Sequence, residues 1–73
     1  MSLFAERLKN LRITTNATQK DVADALSITV RAYQYYEKAT KEPTLSKLLA
    51  LADFFDVSLD YLTGRTNTPA INR

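Results

Sequence analysis

The sequence predicts an all-α domain of five helices, and three observations carry that prediction. Apolar residues recur at intervals of three and four in five successive segments, the spacing that lines one face of a helix. A Ser or Thr stands at the head of each segment (Ser2, Thr18, Thr29, Thr44 and Ser58), where its side-chain oxygen can accept from a free backbone N–H of the first turn. The composition, 45% hydrophobic with one Gly and two Pro, suits a compact helical bundle rather than a disordered segment. Seventy-three residues make one small domain, and the absence of Cys removes both disulfides and thiolate metal sites, so stability has to come from packing.

The first helix is expected over residues 2 to 12, capped by Ser2, with Phe4, Leu8 and Leu11 as its core stripe. The β-branched run Ile13-Thr14-Thr15 weakens it, and Asn16 suits a left-handed C-terminal position. Residues 18 to 37 then hold two short helical patterns. In one, Thr18 is the cap and Val22, Ala23 and Leu26 share a face; in the other, Thr29 is the cap and Tyr33 and Tyr36 point inward. Only Ser27 and Ile28 separate them, so the helices meet steeply over Ile28, the arithmetic of a helix-turn-helix.

A basic loop follows from Lys38 to Glu42, and Pro43-Thr44 sets up the fourth helix. Over 45 to 55 that helix carries Leu45, Leu48, Leu49, Ala52 and Phe55 as the expected core-closing stripe, with Phe54 half exposed and a candidate for a dimer face. Ser58 caps a short fifth helix holding Leu59 and Leu62 and ended by Gly64. Residues 1–64 therefore read as the folded domain and 65–73 as a flexible polar tail.

The chain has no His, its acidic residues stand singly, and a single Gly rules out a Gly-rich phosphate loop. These absences argue against an enzyme and imply no cofactor and no metal. No apolar run approaches a membrane span and no secretory signal opens the chain, so a cytoplasmic protein without membrane partners is expected. The net charge is only +2, but from Arg7 to Lys47 eight basic residues face four acidic ones, and the next three charges are Asp53, Asp56 and Asp60. One end of the fold is thus expected to face a polyanion.

Several spaced marks carry a family resemblance: Arg7-Leu8 and Leu11-Arg12, Thr18-Gln19, Val22-Ala23, Leu26, Ile28-Thr29, Tyr36-Glu37, Pro43-Thr44, and Val57-Ser58-Leu59-Asp60-Tyr61-Leu62. From Phe4 to Gly64 the chain resembles the lambdoid phage repressor and Cro class of helix-turn-helix proteins, also called XRE-like. The resemblance implies the five-helix lambda-repressor-like fold with the helix-turn-helix at helices 2 and 3. It also implies that Gln19 contacts the DNA backbone, that the Lys38, Thr40 and Lys41 loop lies along the phosphates, and that Arg12 pairs with Glu37 as a partly buried structural ion pair. The chain departs from the family at Lys38-Ala39, where Asn-Gly is common. Without Gly a left-handed residue there would be strained, so the loop is expected to take a different path.

With Tyr33 and Tyr36 turned inward, the third helix leaves Thr29, Val30, Arg31, Gln34 and Tyr35 on its outer face. Arg31 can donate to guanine O6 and N7, Gln34 can pair with adenine N6 and N7, and Val30 can pack on a thymine methyl. Tyr35 stands where the family often contacts a base or a phosphate; its ring can also lie flat on its neighbours. In the family the Tyr33 position is usually aliphatic, so its hydroxyl needs a partner or an opening to water.

The expected function is sequence-specific double-stranded DNA binding by a bacterial or phage transcriptional regulator, a repressor acting as a homodimer on a palindromic operator. The candidate dimer surface is Asp60 to Ile71 with Phe54. Two other readings differ in partner: a protein-interaction module such as an antitoxin-like or adaptor protein, using an apolar face around Phe54, Tyr61 and Ile71, and a single-strand binder stacking bases on its tyrosines.

Overall fold

A computed structural model describes residues 3–71 and contains five helices: α1 (Leu3–Thr14), α2 (Gln19–Ala25), α3 (Val30–Glu37), α4 (Leu45–Phe55) and α5 (Leu59–Leu62). The Ser2 cap and the last two tail positions, Asn72 and Arg73, lie outside the described residues. Thr18, Thr29, Thr44 and Ser58 each accept from the backbone N–H three residues on (Asp21, Ala32, Lys47 and Tyr61). At α2 the arrangement is reciprocal, because the Asp21 carboxylate accepts from the Thr18 N–H at 2.9 Å. That backbone hydrogen bond, together with the one from the Thr18 hydroxyl side, holds the Asp21 carboxyl below its ordinary range.

The core gathers Leu8 from α1, Val22 and Ala23 from α2, Tyr33 from α3, Leu51, Ala52 and Phe55 from α4, and Leu62 from α5, with Leu26 and Val57 beside them. Ile28 is half buried against this cluster beneath the α2–α3 corner. The helix α4 departs from expectation. Leu48, Leu51, Ala52 and Phe55 turn inward, whereas Leu45 and Leu49 are 63% and 47% exposed. The inward stripe follows i, i+3, i+4, i+7, which leaves Leu45 and Leu49, four apart, just beyond its edge. Phe54 is also exposed, stacked edge-on against Phe55 at 4.9 Å between ring centroids. At about 100° per residue it lies roughly 140° round the helix from Leu49, so the two do not share a face.

The first helix runs two residues past the predicted end. The hydroxyls of Thr14 and Thr15 donate to the Leu11 carbonyl, and Asn16 then closes the helix at φ 60°. The same closure recurs at Ser27 (φ 58°), Ala39 (φ 61°) and Asp56 (φ 55°). At each, the left-handed residue and its successor donate back into the last turn: Ser27 to Asp24 and Ile28 to Ala23, Ala39 to Tyr36 and Thr40 to Tyr35. The Lys38-Ala39 loop therefore keeps the left-handed turn that the absence of Gly was expected to forbid. The two hydrogen bonds offset the crowding of the Ala39 Cβ, which costs about 1 kcal/mol. Ala39→Gly is accordingly expected to raise stability by about 1 kcal/mol in chemical denaturation, with an unchanged denaturant slope.

Gly64 is the one left-handed glycine, φ 88°, and a Cβ there would stand 2.8 Å from Leu3 Cδ2. Beyond it the chain turns back along the body. Arg7 donates to the carbonyls of Tyr61 and Thr66 and to Asn67 Oδ1, its guanidinium carbon lies 4.2 Å from the centroid of the Tyr61 ring, and the Ser58 N–H donates to Pro69 O at 2.9 Å. If Arg7 holds this segment, Arg7→Ala will speed tryptic cleavage at Arg65 severalfold while leaving the melting temperature within a few degrees.

Candidate nucleic-acid interface

The helix α3 is short and amphipathic, and its position is set from beneath by Tyr33, which is fully buried. Its outward face then carries Arg31, Tyr35 and, at the C-cap, Lys38, with Gln34 on the side toward α1 and α2. Val30 turns partly inward and packs against the core, leaving an edge for contact. Thr29 is exposed, its hydroxyl oxygen engaged as the cap. Tyr36 is half buried with its ring edge-on to Tyr33, 6.3 Å between centroids.

Beneath the Gln34 side lies a polar network centred on Glu37. Arg12 Nε donates to Glu37 Oε2 at 2.6 Å and Arg12 Nη2 to Oε1 at 3.3 Å. The Tyr33 hydroxyl also donates to Oε2, and Gln19 Nε2 donates to Oε1 at 3.2 Å. Four donors thus occupy the four lone-pair positions of one carboxylate. The side chains of Arg12 and Glu37 are only 16% and 6% exposed, so the ion pair is largely shielded from water. Burial pushes the Glu37 carboxyl up, but the hydrogen bonds from Arg12, Tyr33 and Gln19 outweigh it and hold the group below its ordinary value. The Tyr33 phenol is pushed far up, first by burial and then by the carboxylate it faces, and the Arg12 guanidinium is held charged more firmly by Glu37. The hydroxyl that is unusual at this position therefore has its partner inside the protein.

Two clefts flank α3. One, of about 330 Å³, is lined by Lys9, Arg12, Gln19, Gln34, Glu37 and Lys38. The other, of about 240 Å³, includes Thr29, Arg31, Tyr35, Lys41 and Glu42. Arg31 Nε donates to the Tyr35 hydroxyl at 3.3 Å, and Lys41 Nζ stands 4.8 Å from the Tyr35 ring centroid, so one cation meets the hydroxyl and another the ring. Thr40 donates from its hydroxyl to the Tyr35 carbonyl at 3.2 Å, tying the loop to the helix.

The eight basic residues counted in the sequence do not all turn to one face. Arg7 holds the segment after α5, Lys20 pairs with Asp24 at 2.9 Å, and Lys47 donates to the Leu26 carbonyl at 2.7 Å, where it serves the C-terminal end of α2. Lys9, Arg31, Lys38 and Lys41 are the cations arranged around α3, and among the described residues none of the four is in an ion pair. Lys9 was not singled out by motif. Its signal was its position three residues before Arg12, which puts both on the α1 face beside α3. The tie between Gln34 and Gln19, 3.0 Å from Nε2 to Oε1, had no signal in the sequence because fifteen residues separate them.

The structure also bears on the stacking of single strands. Tyr33 is inside, whereas Tyr35 and the core-packed Tyr36 are both half buried and both line the cleft beside Lys41.

The comparisons with known proteins agree with this geometry. A family model described as helix-turn-helix matches residues 8–62. An uncharacterized HTH-type transcriptional regulator of Bacillus subtilis, YobD, is 37% identical over 67 residues, covering 92% of this chain and 60% of that protein. The cryptic phage CTXphi transcriptional repressor RstR of Vibrio cholerae is 40% identical over 63 residues, covering 86% of this chain and 56% of its own. A crystal structure of a transcriptional regulator from Listeria innocua superposes with a TM-score of 0.82 at 31% identity, over 88% of this chain and 61% of that one. The chain thus spans a little over half the length of these relatives. No described helix is long and apolar enough to cross a membrane. With helices α2 and α3 set as a helix-turn-helix, the chain belongs to the XRE-type helix-turn-helix family of transcriptional regulators.

Proposed function

We propose that the chain binds a specific double-stranded operator as a homodimer and represses transcription by occupying it. One observation carries the reading: the outward face of α3, bearing Arg31, Gln34 and Tyr35, is bordered by Lys9 and Lys38 on one side and Lys41 on the other. A base-reading helix between cations suits the major groove, where phosphates stand on both sides of the exposed base edges. Lys9, Lys38, Lys41, Gln19 and Thr40 set the register on the phosphates. Arg31 and Gln34 read bases, Val30 offers its outer edge to a thymine methyl, and Thr29 and Tyr35 contact either backbone or base. Residues 1–64 form the reading unit.

One such unit spans only a few base pairs, so specificity calls for two on half-sites about 34 Å apart. The proposed dimer surface is α5 and the segment to Ile71. There Leu49, Val57, Leu59 and Ile71 line an open cleft of about 310 Å³ beside Asp53 and Asp60. Phe54 is on the other side of α4, and Tyr61 lies beneath Arg7, which breaks up the apolar face that a protein-interaction module would have used.

The test is selection of duplexes from a random pool at several salt concentrations, with Arg31→Ala beside the wild type. A two-fold symmetric consensus is expected, and the variant should lose a preference at one position per half-site worth about 1–3 kcal/mol. Absence of any consensus, with binding abolished at physiological salt, would mean that the basic surface is only electrostatic. Sedimentation showing monomer alone at high micromolar concentration, with and without the selected duplex, would remove the homodimer.

A further inference from the structure

The network beneath α3 has a direction, and the direction reaches the surface. Glu37 is a carboxylate and can only accept, so Gln19 must turn its Nε2 toward it, as it does at 3.2 Å. Gln19 Oε1 then faces Gln34, which must in turn present Nε2, at 3.0 Å. What Gln34 has left for the outside is its Oε1 and its second N–H. Those are the acceptor and the donor that adenine N6 and N7 require, in one fixed order. An isolated glutamine amide turns over at little cost and presents the two groups in either order. Here, turning Gln34 over would set its oxygen against Gln19 Oε1. Turning Gln19 over as well would set an oxygen against the carboxylate. Nor would a turned-over Gln19 find relief at Glu37 Oε2, which is likewise only an acceptor and already receives Arg12 Nε and the Tyr33 hydroxyl.

We propose that the buried Glu37 carboxylate fixes, through Gln19, the orientation in which Gln34 meets its base, which makes Gln19 a specificity-positioning residue as well as a backbone contact. The inference rests on the operator-binding reading above and adds to it a relay from the interior to one base pair. Gln19 retains a second N–H, so donation to a phosphate and orientation of Gln34 are compatible. The amide loses its alternatives before DNA arrives, and the preference it expresses is set by the protein core.

The experiment uses the same duplex selection on four proteins: wild type, Gln34→Ala, Gln19→Ala and Gln19→Met, the last keeping the side-chain bulk without an amide. Melting curves establish that each is folded. In the wild type the position read by Gln34 should show about a tenfold preference for one base pair. Gln34→Ala should abolish it, and both Gln19 variants should reduce it severalfold at that same position while leaving the Arg31 position untouched. Should the Gln19 variants weaken every sequence equally and keep the preference, Gln19 is a backbone contact only and the relay is wrong. If Gln34→Ala shifts no preference, Gln34 reads nothing and the relay has no outlet. A wild type that selects no consensus fails at the earlier step, because then the operator-binding reading itself is lost and the relay with it.

Discussion

Arg12→Ala is expected to lower the stability of the domain by about 3 kcal/mol at pH 7. The magnitude does not come from the strength of an ion pair as such, since an exposed pair is worth less than about 1 kcal/mol. It comes from what remains after the guanidinium is gone. The Glu37 side chain is 6% exposed and would keep its charge with only the Tyr33 hydroxyl and the Gln19 amide to solvate it. The pH dependence separates this cause from lost packing. In the wild type the Glu37 carboxyl lies below its ordinary value of 4.5, so its contribution is complete above that pH and disappears as the pH falls through the lower folded value. In the variant, burial is opposed only by the Tyr33 and Gln19 hydrogen bonds, so the folded value moves up and less stability is lost on acidification than in the wild type. The stability gap between the two proteins should therefore close as the pH is taken from 7 to about 3 in urea titrations. A gap of the same size at both pH values would place the loss in packing of the Arg12 stem and not in the charge.

The operator side of the site and its supporting side were legible to different degrees. Helix α4 was placed at its observed ends from its Thr44 cap and its apolar spacing, both local; the structure adds that Asp56 closes it in the left-handed conformation. Apolar spacing and the caps at Thr18 and Thr29 placed α2 and α3, and each cap depends on one residue and its own first turn. What was not legible depended on contacts distant in sequence. The three-and-four spacing of Leu45, Leu48, Leu49 and Ala52 leaves the centre of the apolar face undecided, because Leu-rich helices offer two overlapping stripes. The packing of α2 and α5 against α4 chose the one through Leu51. Charge counting erred for a similar reason. A count of cations cannot tell that Arg7 is drawn to the carbonyls of Tyr61 and Thr66 or Lys47 to that of Leu26. The Ala39 turn exposed a limit of a different kind: a strain of about 1 kcal/mol is an argument about cost, and two closing hydrogen bonds can meet it. For α4 and for the cations a longer-range contact decided the outcome, whereas at Ala39 two local hydrogen bonds did.

Tyr33 joins the hydrophobic and polar halves of this design, and it allows them to be measured apart. The ring is fully buried under α3 and is the largest such side chain in the core, so Tyr33→Ala is expected to cost about 4 kcal/mol, a large share of the stability of a domain this small. Tyr33→Phe keeps the ring and removes one donor to a carboxylate, for which a loss of about 2 kcal/mol is expected. The phenylalanine variant should also respond less to acid. Without the hydroxyl, Glu37 loses one of the hydrogen bonds that hold its carboxyl down, its folded value moves back toward the ordinary one, and less stability is lost between pH 7 and pH 2. The two stability curves should thus converge as the pH falls. Equal acid responses in wild type and Tyr33→Phe would mean that the hydroxyl does not stabilise the charged carboxylate, which Arg12 and Gln19 then hold between them.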